Sequence, residues 1–183
     1  MQIKKGTWRV AILIPKLNIA IKLPRIYLRP AWKIIKKMST SKTWLHWQLF
    51  KSTVYSEISL RQWIFRGIVE NWQEFWFYQK TRNLFCVPTY FSFLGLFNIQ
   101  KLGSEPKINI NDLHYQFVIF TNNEARGHHY DNNGNFSYQN RKLQILDYGS
   151  PKVQKVIIEF GALLQEKFDI NAKCPHDGII SGL

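Results

Sequence analysis

Between His128 and Gly149 the chain sets a polar loop, a short apolar run and an Asp-Tyr-Gly triplet in close succession. The loop reads His-His-Tyr-Asp-Asn-Asn-Gly-Asn and ends at Asn135. Leu143 to Leu146 reads as a strand, and Asp147-Tyr148-Gly149 closes it. Asp131 and Asn135 therefore precede the strand and Asp147 follows it, so a fold built around it can bring two carboxylates and an amide together. Phosphoryl transfer needs such a set: one carboxylate to orient a hydroxyl, an amide and a second carboxylate to hold Mg²⁺. Asn, Asp and Gly also cluster in ordinary turns, so the stretch reads equally as a loop and one strand of another α+β domain.

The elements around it follow from periodicity. Thr7 to Ile14 and Leu17 to Ile26 read as two strands joined at Pro15-Lys16. Alternation in the second puts Ala20 and Lys22 on one face and Ile19 and Ile21 on the other, so Lys22 points either into a cleft or into water as an edge-strand lysine. Ser56 to Lys80 reads as a long helix, opened by a Ser59–Gln62 capping box and striped by Ile64, Ile68, Trp72 and Phe75. Glu70 and Glu74 lie one turn apart on it. Two strands are expected at Val87 to Phe93 and Leu96 to Lys101, then a polar link, a short helix over 111–123 and an amphipathic helix from Pro151 to Phe168.

Charge is unevenly placed. Twelve Lys and Arg precede the first acidic residue, Glu57, and the rest of the chain carries thirteen basic and twelve acidic side chains. Twelve of the thirteen net positive charges thus fall in residues 1–56. Within this third, Lys33, Lys36, Lys37, Lys42 and Lys51 are interleaved with Trp32, Trp44 and Trp47, in two segments that read as short amphipathic helices. Cations beside aromatic rings suit phosphate contacts and base stacking on RNA or single strands. They also suit an interfacial membrane helix, or a solvated basic face over core aromatics. An aromatic content of 15% excludes a chain too polar to fold. No apolar run approaches the length of a transmembrane helix, and no cleavable signal peptide is evident. Two cysteines, Cys86 and Cys174, offer no disulfide framework and fit a reducing, intracellular and cytoplasmic setting. Cys174-Pro175-His176 is too little for a metal site.

Lys22 in Ile-Ala-Ile-Lys, the helix with Glu74, two strands, a link, His129-Tyr130-Asp131, Asn135 and Asp147-Tyr148-Gly149 stand in an order that resembles the protein-kinase-like superfamily. The resemblance spans residues 6–168. It implies an α+β, two-lobed fold: an antiparallel sheet and one long helix in residues 1–102, and a truncated second lobe in 103–183. It further implies that Lys22 contacts phosphates and pairs with Glu74, or with Glu70 as the second choice. Gln100 and Lys101 would lie at the hinge beside the ATP base, Asp131 would orient the acceptor hydroxyl, and Asn135 and Asp147 would hold Mg²⁺.

Departures accompany it. Three residues separate Asp131 from Asn135 where the family has four, Tyr148 stands for Phe, and Gly6 is all that remains of the glycine-rich loop. Only 34 residues follow Gly149, without an Ala-Pro-Glu motif. The expectation is an ATP- and Mg²⁺-dependent phosphotransferase acting on a protein hydroxyl, or a pseudokinase. The alternative is a non-enzymatic basic component of a nucleic-acid-containing assembly, binding polyanions through residues 1–56. A membrane-surface role is the third reading.

Overall fold

The computed structural model describes residues 1–26, 60–125 and 129–174. The two basic amphipathic segments expected within 28–55 and the Ser59 cap fall outside them.

Five strands form one antiparallel sheet: β1 (Gln2–Lys5), β2 (Arg9–Ile14), β3 (Ile19–Pro24), β4 (Thr89–Phe93) and β5 (Phe97–Lys101). Their order across the sheet is β1-β2-β3-β5-β4. β2 and β3 pair from Arg9↔Pro24 to Ile14↔Ile19 around a 3-10 turn at Pro15–Leu17. Sequence alternation becomes a physical division here. Ala20 and Lys22 are buried on one face, while Ile12, Ile21 and Ile99 stand in register, half-buried, on the other. A bulge between Thr89 and Phe91 lets β4 turn both Thr89 and Ser92 inward, a spacing plain alternation forbids.

The long helix α1 (Leu60–Thr81) crosses the inner face of this sheet. Asn71, fully buried, stitches it down: its Nδ2 donates to Lys22 O at 3.3 Å and Gly95 O at 3.0 Å. Two glycines set how closely the helix approaches. A Cβ on Gly67 would stand 2.4 Å from Trp8 O, and one on Gly149 would stand 2.5 Å from Glu70 O.

Beyond the sheet lie α2 (Ile110–Phe120), the hairpin β6 (Phe136–Gln139) and β7 (Lys142–Ile145), and α3 (Pro151–Lys167). Asn109 caps α2 by accepting from Asn111 N, and Pro151 starts α3 at the position where its missing N–H costs nothing. The hairpin turns through Asn140 and Arg141, both at positive φ, as a two-residue connection matched to strand twist requires. Phe85, Leu113, Phe117, Phe136, Leu143, Ile145 and Ile157 form the core between these elements and the end of α1. Each such side chain contributes about 1.5–3 kcal/mol on burial. Backbone bonds tie the hairpin to the segment leading into β4, among them Val87 N to Ile145 O at 2.9 Å and Ile145 N to Phe85 O at 2.7 Å. The chain is thus α+β, with a five-stranded antiparallel sheet and three α-helices among the described residues. None of those helices is long and apolar enough to cross a membrane.

Candidate functional site

A cleft of about 340 Å³ opens between the inner face of the sheet and the loop leading into β6. Ala11, Leu13 and Ala20 line it from the sheet; Phe136 and Leu146 line it from the hairpin side. Leu102 and Gly103 close one edge. Apolar walls on two sides suit a flat ring system. Lys4, Lys5, Arg9 and Lys22 bring four cations to the lining, against the acids Glu105 and Asp147.

A buried ion network occupies one end. Glu74, fully inaccessible on α1, accepts from Lys22 Nζ at 2.9 Å on each carboxylate oxygen. It also accepts from Arg9 Nη1 at 2.8 Å on Oε2. Arg9 reaches Asn71 Oδ1 at 3.3 Å through the same nitrogen and donates Nη2 to Asp147 Oδ1. Lys22 adds a 2.6 Å bond to Leu146 O. Two cations and two carboxylates therefore balance. Burial lowers the Lys22 amine from its ordinary range against the pull of Glu74, and the neighbouring Arg9 charge lowers it further. Arg9 is held above even its own high value: burial opposes its charge, but Asp147 and Glu74 outweigh it. Glu70 is raised by burial, opposed by Arg9 and by Arg66, whose Nε donates to it at 2.8 Å.

Asp147 is aimed by its neighbours. Tyr148 is fully buried, and its hydroxyl reaches Val87 O at 2.8 Å and Thr89 Oγ1 at 2.7 Å. Leu146 N donates to Asn135 O at 2.7 Å, and its carbonyl receives Lys22. With both flanking residues fixed, the Asp147 carboxylate is left at the cleft, about one-third exposed at 32%.

No protein-family model matches the chain, and no curated protein or solved structure does.

The structure gathers Lys22, Glu74, Asp147, Asn135 and Gln100 around or behind one cleft, whereas Lys101, Asp131 and Glu70 do not line it. Asn135 lines the cleft, with its Nδ2 donating to His129 O at 2.9 Å. Gln100 is fully buried; its Nε2 faces Val87 O, Thr89 Oγ1 and Leu146 O, which fixes the amide's orientation. Lys101 is not in the lining, and its backbone N–H donates to Pro88 O as β5 continues through it. Gln100 and Lys101, given to a hinge by the kinase resemblance, are the last residues of β5, and the polar link follows from Leu102. Leu102 N is taken by Asn18 O, so Gly103 is the link residue at the cleft edge.

Asp131 does not line the cleft either; Asn132, Gly134 and Asn135 do. The exposed Asp131 carboxylate sits 2.9 Å from His114 Nδ1 of α2, and Tyr130 beside it packs on Phe117 at 5.4 Å between ring centroids. Glu70 pairs with Arg66 rather than Lys22. Lys33, Lys36, Lys37, Lys42, Trp44 and Lys51 lie outside the described residues.

Arg9 is the site residue that sequence reasoning missed. It opens β2 after the tight turn in which Gly6 N donates to Arg9 O at 2.9 Å, and no spacing signal links it to Glu74 or Asp147. Its presence bears on Mg²⁺. Asn135 and Asp147 would be the oxygen donors, yet a guanidinium already holds the Asp147 carboxylate and neutralises it. Mg²⁺ demands near-ideal octahedral oxygen geometry and would have to share this carboxylate with the guanidinium.

Proposed function

We propose that the cleft binds a nucleoside polyphosphate such as ATP, in a reduced kinase-like fold that serves as a nucleotide-binding scaffold, a pseudokinase, rather than as a Mg²⁺-dependent phosphotransferase. One observation carries this: Lys22 on a central strand pairs with Glu74 on the helix behind it, beside a cleft whose walls are apolar and whose lining carries four cations against two acids. The apolar walls take the base, and the cations at the mouth take the phosphates. The order of elements along the chain, from the strand with Lys22 to Asp147-Tyr148-Gly149, supports the same reading. Phosphotransfer to a protein hydroxyl has less support, because Asp131 faces His114 instead of the cleft.

Differential scanning fluorimetry with ATP, AMP and inorganic triphosphate tests the site. ATP at 100 times its Kd should stabilise the chain by about 2.7 kcal/mol. Ala20→Ile fills the apolar wall without touching a charge and should abolish that shift. An unshifted wild type at millimolar ATP would remove the nucleotide reading.

A second reading rests on a different observation, the twelve net charges held in residues 1–56. In it this third binds a nucleic acid or another polyanion as part of an assembly, through basic residues other than the four, Lys4, Lys5, Arg9 and Lys22, that line the cleft.

A further inference from the structure

We infer that Arg9 takes the place of a divalent cation in this cleft, so that the cleft binds a nucleotide's phosphates without Mg²⁺. The inference rests on the nucleotide reading above and concerns how the phosphates are held.

Donor counting separates the two buried cations. An ammonium has three N–H donors, and Lys22 spends all three: on both Glu74 oxygens and on Leu146 O. It can grip a phosphate only by releasing one. A guanidinium has five, and Arg9 spends three: two Nη1 hydrogens on Glu74 and Asn71, one Nη2 hydrogen on Asp147. Its Nε–H and second Nη2 hydrogen remain for an anion in the cleft that Arg9 lines. Arginine's planar fork also suits phosphate oxygens better than an ammonium does.

Charge counting points the same way. Arg9 and Lys22 against Glu74 and Asp147 sum to zero, so a polyphosphate entering the cleft meets no net negative field from the network. A Mg²⁺ ion gains little from a cluster already neutralised. At Asp147 it would stand beside a guanidinium of the same sign that is 9% exposed and already holds Oδ1. Lys5 adds a further cation to the lining, where Lys4 is paired with Glu105 at 2.7 Å.

Isothermal titration calorimetry with ATP, first in EDTA and then in excess MgCl₂, decides the matter. The wild type should bind in EDTA, and Mg²⁺ should change Kd by no more than about threefold. Arg9→Gln should weaken binding in EDTA by about tenfold or more. Asp147→Asn, which keeps Arg9 and removes a negative charge, should leave binding in EDTA intact or tighter. Circular dichroism melts establish that each variant is folded. Should Arg9→Gln fail to fold, the wild-type comparison and Asp147→Asn still decide. Binding that appears only with Mg²⁺ and disappears in Asp147→Asn would overturn the inference while leaving the nucleotide site standing. No ATP binding in either buffer would overturn both.

Discussion

Glu74 compensates two buried cations at once, with a hydrogen bond to each. Removing its charge leaves Lys22 and the Nη1 side of Arg9, both buried, without their carboxylate partner. Breaking a buried pair by removing one partner is far more costly than the pair's net contribution, because the other ion remains desolvated. Glu74→Gln should therefore destabilise by about 3–5 kcal/mol, read as a shifted urea midpoint. Lys22→Met should cost less, since Arg9 continues to compensate Glu74 from the other side. Equal losses would mean that Arg9 does not share Glu74 in solution. Asp131 makes the contrasting case: its contact with His114 is largely exposed, and contacts of that kind contribute about 0–1 kcal/mol.

At the scale of elements, the close approach of α1 to the β1–β2 turn yields a prediction whose sign is unusual. Gly→Ala inside a helix normally gains about 1 kcal/mol. At Gly67 the added methyl would meet Trp8 O at 2.4 Å and Pro24 at 3.0 Å, so backbone and ring must move. Overpacking of this kind costs about 1–3 kcal/mol, so Gly67→Ala should lower the melting temperature in spite of its helix propensity. An unchanged or raised value would mean that the helix can slide outward without loss. The same packing explains what the sequence could and could not reveal. Elements with strong internal periodicity were legible: the helix expected to reach Lys80 ends at Thr81, and the strand pairs flanking Pro15 and Gly95 lie where alternation puts them. β1 was missed because Gln2-Ile3-Lys4-Lys5 is exposed throughout and owes its extended form to pairing with β2. β6 was missed because Phe136-Ser137-Tyr138-Gln139 continues a polar run and becomes a strand only opposite β7. The network at the cleft has the same limit. Arg9 and Asp147 are 138 residues apart, and only the folded register of β2 against α1 brings the guanidinium to both acids.

For the whole molecule, charge and shape divide the functional readings between two regions that experiment can separate. The cleft's cations, Lys4, Lys5, Arg9 and Lys22, belong to the sheet and act over a few ångströms on one bound ligand. Lys33, Lys36, Lys37, Lys42 and Lys51 belong to the stretch between β3 and α1, and their chemistry is that of a polyanion contact spread over several phosphates. Such contacts release counterions, so affinity falls with log salt at a slope of about −0.7 per phosphate neutralised on a single strand. Replacing these five lysines by Gln should reduce the slope for a single-stranded RNA by up to about 3.5, measured by fluorescence anisotropy across a salt series. The ATP-induced thermal shift should be unchanged in that variant, because the cations that line the cleft, Lys4, Lys5, Arg9 and Lys22, are all retained. Conversely, Ala20→Ile should remove the ATP shift and leave the RNA salt slope as it was. If the lysine variant loses both, the two regions form one surface, and the nucleotide signal would be the polyanion affinity of the basic third read with a small ligand. A wild type whose RNA affinity is weak and insensitive to salt would leave the cleft as the functional part of the chain.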